Sequence, residues 1–359
     1  MSSNTGQIEY FDSLIGKEIN KTYRIEKRLA IGGMGAVFSG THLQQGTLIA
    51  IKVISPHLAA NPVFVKRFKR EARVGSALSH PHIVKVHDFG ETEEGLLFMI
   101  MEFVEGETLG DYLERFGPLS AERCAQILKP LCEALDAAHA RNILHRDLKP
   151  ANILMAYNSN GIDNIKLVDF GLVKLLQPDE EITQGSNLTA VGEACGTPFY
   201  MSPEQVIGQP LKPTADIYSL GVILYQMLTG KMPIEASSIR QILALKINQD
   251  IPPPSNRFPF LPQKIDNVLQ KVLARDPRQR YQTAGELYQA FHKMANSITN
   301  DASATEPHTH ASEVSSSSPA TANDLADKET KNQIKPIWIA VGAGVLILLT
   351  VVLLLLLGR

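Results

Sequence analysis

A run of eleven residues in the middle of the chain combines the side chains that a phosphoryl-transfer site requires. The run reads HRDLKPANILM over residues 145–155, and the tripeptide DFG follows it at residues 169–171. Asp147 could accept the proton of an attacking hydroxyl group. Asn152 and Asp169 offer oxygen ligands of the kind that suits Mg²⁺ when the ion also carries nucleotide phosphates. The pattern therefore predicts metal-assisted transfer of a phosphoryl group.

The composition is that of a globular protein without a strong charge bias. A length of 359 residues allows two domains or one large bilobal domain, and 44% hydrophobic residues suffice for a sizeable core. The formal net charge of −2 argues against a basic surface for nucleic acid. Cys124, Cys132 and Cys195 form no CxxC pair, which is typical of a reducing compartment. The first twenty residues lack an apolar h-region, so we expect no cleaved signal peptide.

The residue patterns predict a β-rich part followed by a helical part, with the change near residue 105, and hence an α+β fold class. Short β-type runs are predicted at 22–29, 36–42, 47–54, 83–89 and 96–103, with one helix at about 62–79. After residue 105 apolar residues recur at helical spacing, as they do over 121–140. Pro130 inside that stretch is expected to kink the helix or to remove one hydrogen bond.

A stretch of 21 residues near the C-terminus carries no charge. As a helix with a rise of about 1.5 Å per residue, residues 337–357 would extend roughly 31 Å, close to the thickness of a bilayer core. A buried core helix is the alternative, but the stretch is apolar on all sides, so we predict a transmembrane helix at 336–357. Three lysines at 328–335 precede it and only Arg359 follows it, so the positive-inside rule predicts that the preceding part is cytoplasmic. We expect an anchor without an outer domain.

Residues 296–335 lack the apolar spacing that a packed core needs. Four consecutive serines at 315–318 lie among Ala, Thr and Asp residues, so we predict a disordered linker. Within the predicted anchor, Ala340 and Gly344 form a small-xxx-small pair. This pair could pack two anchors into a homodimer, or it could face lipid.

Taken in order, these motifs resemble a eukaryotic-type serine/threonine protein kinase, and specifically the membrane-anchored bacterial branch. The resemblance implies a bilobal protein-kinase-like fold in a domain of residues 21–295, preceded by an N-terminal extension of residues 1–20. Its β-rich N-lobe would end at about residue 104 and its helical C-lobe would begin at about residue 105. The resemblance also implies ATP and Mg²⁺ as cofactors and Ser/Thr hydroxyl groups of proteins as acceptors.

The glycine-rich loop LAIGGMGAVF at residues 29–38 is the first motif of the resemblance. Ala30 stands where the family pattern has its first glycine. Glycines let backbone amides approach the nucleotide phosphates closely. The segment that begins at Met101 resembles the hinge that binds adenine through backbone groups, with Met101 as gatekeeper. The residues that the resemblance assigns to nucleotide binding are Ile31, Gly32, Gly33, Met34, Gly35, Val37, Lys52, Met101, Glu102, Val104 and Leu154.

Lys52 in the run Ala50-Ile51-Lys52 matches the strand lysine that contacts the α- and β-phosphates in the family. Glu71, nineteen residues later on the predicted helix 62–79, would pair with it, because a lysine buried near phosphate is costly without such a partner. The alternatives are an outward, solvated lysine and a glutamate that pairs on the helix surface.

The resemblance assigns catalytic roles to four positions of the central region. Asp147 would act as the base or would orient the acceptor hydroxyl, and Lys149 would steady the transferred γ-phosphoryl group. A lysine at this second position is typical of serine/threonine kinases. Asn152 and Asp169 would bind the metal.

Residues 172–204 resemble an activation segment. In the family an arginine such as Arg146 commonly receives a phosphate from that segment, and Thr197 resembles the threonine that bonds the catalytic Asp and Lys. The candidate phosphosites are Thr183, Ser186 and Thr189. Spacing favours Thr189, and a polar loop without regulation is the alternative.

Five further residues resemble structural positions of the family. His145 would pack under Phe170, Asp216 would begin the buried central helix of the large lobe, and Arg280 would pair with Glu204.

Two functions fit the sequence. The first is an active kinase that is tethered to the membrane, and it is favoured because Lys52, Glu71, Asp147, Asn152 and Asp169 are all present. The second is a membrane-anchored pseudokinase scaffold, which the loss of one of these residues would favour.

Overall fold

The structure, a computed structural model, describes residues 2–158, 161–170 and 198–303. The chain divides into two units, residues 1–306 and 307–359, and all described residues lie in the first. Within the described ranges no helix is long and apolar enough to cross a membrane. Residues 337–357 lie outside these ranges, so the predicted membrane span stays a prediction.

The N-terminal part is built on a six-stranded antiparallel sheet in the order β1-β2-β3-β4-β6-β5. Its strands are β1 (Glu18–Ile19), β2 (Tyr23–Gly32), β3 (Gly35–His42), β4 (Thr47–Ile54), β5 (Val86–Glu91) and β6 (Leu97–Glu102). The predicted β-type runs are confirmed except at 83–85, where Ile83 makes only an isolated bridge to Leu167. One sheet face packs its apolar side chains, among them Phe38, Ile51 and Ile100, into a common core.

The helix α3 (Pro62–Ser76), which follows the short helix α2 (Pro56–Ala59), packs against the other side of this sheet. It begins with an N-cap, because the side chain of Asn61 accepts hydrogen bonds from the backbone N–H groups of Val63 and Phe64. Its buried residues Phe64, Phe68 and Ala72 recur every four positions and therefore share one helix face. This packing fixes where Glu71 stands relative to the sheet.

The C-terminal part is mostly helical, as the sequence predicts, but it also contains a small antiparallel sheet that the sequence did not indicate. The sheet comprises β7 (Gly106–Thr108), β8 (Ile153–Asn158) and β9 (Gly161–Leu167). The helices are α4 (Leu109–Phe116), α5 (Ala121–His139), α6 (Pro203–Val206), α7 (Pro213–Thr229), α8 (Ile239–Asn248), α9 (Pro254–Arg257), α10 (Lys264–Val272) and α11 (Ala284–Ser303), with 3₁₀ turns at Pro150–Asn152 and Pro277–Gln279. Helix α5 runs through Pro130 as one helix.

Helix α7 lies at the centre of the C-terminal part and is buried along nearly its whole length. A Cβ atom at Gly221 would lie only 2.7 Å from a methyl group of Val272, so the close approach of α7 and α10 requires glycine there. Because such a helix is enclosed on all sides, its few polar side chains need partners inside the protein.

Helix α11 continues to Ser303 and thus extends eight residues into the stretch 296–335 that the sequence assigns to the linker. The helix begins where the carboxylate of Asp136 accepts hydrogen bonds from the backbone N–H groups of Ala284 and Gly285, both at 2.8 Å. Ile298 extends its apolar stripe and packs against the core. The rest of the predicted linker lies outside the described residues.

The N-terminal extension is an integral part of the sheet structure, which the sequence did not indicate. Helix α1 (Ser2–Asp12) places Phe11, which is fully buried, 6.4 Å from Phe38 between ring centroids. The backbone of the following turn bonds to β2, since Gly16 N–H donates to the Ile25 carbonyl at 2.8 Å. Asp12 pairs with Arg28. The extension therefore closes one face of the core.

We expect Phe11→Ala to lower the free energy of unfolding of the full chain by roughly 3 kcal/mol, as is usual when a buried phenylalanine is truncated. Urea unfolding followed by circular dichroism measures this change. Ile15→Ala is the matched control, because Ile15 is 43% exposed and should cost under about 0.5 kcal/mol. Equal losses in the two variants would contradict the packing of the extension.

Candidate active site

The loop that carries Asp147 is anchored by one buried carboxylate at the start of α7. Asp216 is 2% exposed and accepts hydrogen bonds from the backbone N–H groups of His145 (2.8 Å) and Arg146 (2.9 Å). Its third partner is the Nε2 atom of His139 at 2.8 Å. Burial by itself would raise the pKa of Asp216, but the hydrogen bond and charge of His139 outweigh it and lower the pKa, so the group stays ionised.

This anchoring holds the backbone in a conformation that a non-glycine residue rarely adopts. Arg146 has a φ of 68°, in the left-handed region. Its carbonyl accepts a hydrogen bond from the side chain of Gln205 on α6, at 2.8 Å. The loop is thus held from both sides, by α7 through Asp216 and by α6 through Gln205.

Two polar side chains of the loop, those of Lys149 and Asn152, converge on the carboxylate of Asp147. Lys149 Nζ lies 2.6 Å from Asp147 Oδ2. Asn152, only 7% exposed, donates from Nδ2 to the Asp147 carbonyl (2.8 Å) and to Oδ2 (3.3 Å). Because Nδ2 of the Asn152 amide is used as the donor in these bonds, its Oδ1 atom is left to face a cation.

Asp169 lies beside Asn152 because of the pairing of β8 with β9. Ile153 is the register partner of Leu167, and Val168 N–H donates to the Asn152 carbonyl at 3.0 Å. The carboxylate of Asp169 then lies 2.7 Å from Lys52 Nζ on β4. Desolvation would raise the pKa of Asp169, but the charge and hydrogen bond of Lys52 outweigh it and hold the pKa below its usual range.

His145 packs beneath Phe170 as predicted, with ring centroids 4.7 Å apart. Burial lowers its pKa, which makes the neutral imidazole the stable form. Its Nε2 then donates to the Val168 carbonyl at 2.9 Å, and Nδ1 accepts from Asp147 N–H at 3.4 Å. Both ring nitrogens are engaged, so His145 links the two polypeptide segments of the site.

The predicted ion pair between Lys52 and Glu71 is not formed in this arrangement of α3. Glu71 Oε1 lies 3.0 Å from the guanidinium of Arg70, and Lys52 takes Asp169 as its counter-charge. Both carboxylates already have a cation nearby, so nothing draws Glu71 to Lys52. A cavity of about 30 Å³ lies between α3 and Phe170, with Glu71 and Asp169 in its wall.

The glycine-rich loop is the hairpin between β2 and β3, closed by the pair Gly32 and Gly35. Gly35 has a φ of 152°, and a Cβ atom there would lie 1.9 Å from the Val53 carbonyl oxygen, so only glycine fits. The tip is tied down because Ser55 N–H donates to the Met34 carbonyl at 2.9 Å.

Ala30 occupies a regular position in this hairpin. It pairs with Val37 across the strands and does not need the left-handed region. The alanine in place of the family's first glycine therefore causes no backbone strain.

An apolar cluster brings Leu154 together with Met101 and Val104, which lie far from it in the sequence. The neighbouring Glu102 is fixed by Lys166, whose Nζ lies 2.8 Å from its carboxylate, and by its own N–H, which donates to the Lys85 carbonyl at 2.9 Å. By contrast, the N–H and C=O groups of Val104 have no hydrogen-bond partner among the described residues.

Behind the site, Arg280 forms a buried two-point ion pair with Glu204, at 2.7 and 2.8 Å, as predicted. Gly171, Thr197 and the three candidate phosphosites lie outside the described residues. The sequence missed Gln205, His139 and Lys246 as parts of this framework, because their partners are backbone groups or residues distant in sequence.

The comparisons with known proteins agree with this geometry. The protein kinase domain profile matches residues 23–292. The serine/threonine-protein kinase pkn3 of Myxococcus xanthus is 38% identical over 271 residues, which are 75% of this chain and 49% of that protein. PknH of Mycobacterium tuberculosis is 37% identical over 290 residues, which are 81% of this chain and 44% of that protein. The chain thus spans about half the length of the curated relatives it matches.

The crystal structure of the Mycobacterium tuberculosis PknI kinase domain aligns with a TM-score of 0.60 and 30% identity, over 78% of this chain and 98% of that one. The profile match at residues 23–292 extends from β2 into α11, and the family's members use ATP and Mg²⁺. The chain belongs to the protein kinase family, and its domain is of the serine/threonine type.

Proposed function

We propose that this chain is an ATP-dependent serine/threonine protein kinase that a C-terminal helix tethers to a membrane. The observation that carries the catalytic part is the pairing of β8 with β9, which brings Asn152 and Asp169 side by side next to Asp147. An amide oxygen and an ionised carboxylate form the donor set that Mg²⁺ prefers. No observation favours the pseudokinase scaffold.

Asp147 and Lys149 act on the acceptor and the transferred group. Asp147 orients the acceptor hydroxyl and accepts its proton. Lys149, 2.6 Å from that carboxylate, neutralises charge as the phosphoryl group passes.

The donor set of Asn152 Oδ1 and the Asp169 carboxylate would hold Mg²⁺, and Lys52 would contact the α- and β-phosphates. Bound Mg²⁺ would supply charge neutralisation at the phosphates. Val104 supports adenine binding, because its backbone N–H and C=O are free to bond a purine edge while Met101 and Leu154 provide apolar walls.

Glu71 acts as the alternative partner of Lys52. It lines the same cavity as Asp169, and its bond to Arg70 is weak, because the Arg70 side chain is 56% exposed and such pairs contribute at most about 1 kcal/mol. A shift of α3 would then bring Glu71 to Lys52 when Asp169 is engaged elsewhere.

The proposed function also includes regulation by phosphorylation and anchoring to a membrane. A phosphate on the activation segment, at Thr189, would be received by Arg146, whose backbone is held next to Asp147. Residues 337–357 would anchor the chain with the kinase domain in the cytoplasm, and Ala340 and Gly344 would let two anchors pack.

We expect Asp147→Asn and Lys52→Ala to lower the transfer of labelled phosphate from ATP to a serine peptide by at least about 100-fold, with unchanged circular dichroism. Glu71→Gln should lower the rate about tenfold, and Arg70→Gln, its neighbour on α3, should not lower it. Unchanged activity in Asp147→Asn and Lys52→Ala would refute the proposed kinase activity.

We expect deletion of residues 337–357 to move the protein from the membrane pellet to the supernatant after ultracentrifugation of cell lysate, because about 20 apolar residues are lost. Replacing the segment with an unrelated apolar span of equal length is the control and should keep the protein in the pellet. A deleted protein that still pellets with membranes, and not as aggregate, would refute the anchor.

A further inference from the structure

A lysine is buried beneath residues 198–201, near the end of the predicted activation segment, and no role in the reaction explains it. Lys246 is 2% exposed, although it lies on α8, a short helix whose only other buried residue is Ile242. A buried ammonium group is costly unless it is paired. The groups around Lys246 must therefore explain why a lysine is buried at this position.

The Nζ atom of Lys246 donates a hydrogen bond of 2.9 Å to the carbonyl oxygen of Met201. The ring of Tyr218 on α7 lies below it, with its centroid 5.1 Å from Nζ. The same ring lies 4.8 Å from the guanidinium carbon of Arg280. Two cations thus share one aromatic ring in the interior.

Only one carboxylate faces this pair of cations among the described residues, and Arg280 occupies it. Glu204 on α6 binds both terminal nitrogens of Arg280, at 2.7 and 2.8 Å. Lys246 is left with the Met201 carbonyl as its hydrogen-bond partner. An apolar residue of similar length would avoid the desolvation of Lys246, so this bond is the feature that only lysine supplies.

The bond matters because residues 198–201 lead into a helix that is joined to the loop of Asp147. The helix that follows them, α6, bonds to the loop of Asp147 through Gln205 and the Arg146 carbonyl. Within the segment, the Tyr200 carbonyl accepts from Ser219 at 2.8 Å, and the Tyr200 hydroxyl donates to Gln226 at 2.7 Å. These two bonds hold Tyr200 from α7.

We propose that Lys246 is a positioning residue that holds the Met201 carbonyl from α8 and thereby sets the segment 198–201 for binding of the acceptor polypeptide. The proposal rests on the kinase activity proposed above. Residues 199–201 of this segment are half-exposed, and the helix that follows them is bonded to the loop of Asp147 through Gln205, so an acceptor polypeptide at Asp147 would have this segment beside it. Lys246 makes a third tether of this segment, and among the described residues it is the only hydrogen bond to the segment from α8.

The environment of Lys246 also makes this tether sensitive to pH. Desolvation, together with the charge of Arg280, lowers the pKa of Lys246 from 10.5 to about 7. Below this value the ammonium makes a charge-assisted hydrogen bond, which is about twice as strong as the bond from the neutral amine that dominates above it. Peptide binding should therefore weaken as the pH rises through 7. The charged and titratable groups that face Lys246 are Arg280, Glu204 and Tyr218.

Protonation of Lys246 is expected to strengthen peptide binding but to lower the stability of the fold. This difference in sign separates a positioning role from a structural role. Because the folded pKa lies below the unfolded one, the folded state binds fewer protons between pH 7 and 10.5, and burial of Lys246 is most unfavourable below pH 7. Lys246→Met removes this cost and keeps the volume of the side chain. The variant should melt at the same temperature as the wild type or higher, and the difference should be larger at pH 6 than at pH 8.

The test compares the full-length wild type, Lys246→Met and Lys271→Met. Lys271 is the matched control, because its Nζ lies 4.4 Å from the ring centroid of Tyr281 but on the protein surface. The probe is a fluorescent peptide with one serine flanked by arginines. At pH 6 and at pH 8 we would measure the Kd of the peptide by fluorescence anisotropy and the KM values for peptide and ATP. Amide hydrogen exchange over residues 198–206 and the melting temperature Tm would be measured at the same two pH values.

We expect Lys246→Met to raise the Kd and the KM for the peptide at least about fivefold at pH 6 and to speed exchange over 198–206, while the KM for ATP changes less than twofold and Tm does not fall. The wild-type Kd should rise between pH 6 and 8, and that of the variant should not. A peptide Kd within twofold of wild type, or a lowered Tm with both KM values changed together, would overturn the proposal. A wild type that binds the peptide without phosphorylating it would refute the kinase activity, and Kd and exchange would still decide the role of Lys246.

Discussion

One buried carboxylate, that of Asp216, is the group on which the geometry of the site depends. It accepts two backbone hydrogen bonds from the loop at 145–146 and one from His139, each between 2.8 and 2.9 Å. Such a group has to remain ionised in the protein interior, and the hydrogen bond of His139 keeps its pKa low in spite of burial. The backbone of Arg146 can therefore stay in the left-handed region. Asp147 gains its orientation from that constraint and needs no movement during the reaction.

Asp216 belongs to α7, the helix that the C-terminal core encloses. The position of the loop at 145–146 is therefore linked to the other elements that α7 contacts. The same helix supplies the ring of Tyr218, which lies near both Lys246 and Arg280, and Ser219, which holds Tyr200. The loop of Asp147 and the segment 198–201 are thus held by one rigid element, so their relative position changes little. The other side of the site differs, since Lys52 is paired with Asp169 while Glu71 lines a cavity beside them.

Residue patterns and the family resemblance predicted several of these features, and the failures share a physical cause. The strands and the helix of Glu71 follow from residue patterns, whereas the pairs Glu204–Arg280 and His145–Phe170 follow from the resemblance. The Lys52–Glu71 pair failed because a choice among carboxylates depends on the position of α3, which spacing does not encode. The packing of Phe11 and the burial of Lys246 were missed because both depend on contacts with residues far away in sequence.

The most direct test of this account is the activity of Asp216→Asn, which keeps the shape of the side chain but removes its charge and turns an N–H group toward the loop. We expect kcat for a serine peptide to fall at least about 100-fold, since the loop at 145–146 loses its hydrogen bonds to the carboxylate. The Kd for ATP should stay within threefold of wild type, because Lys52 and Val104 lie in other elements. A kcat within threefold of wild type in the folded variant would contradict the central role of Asp216.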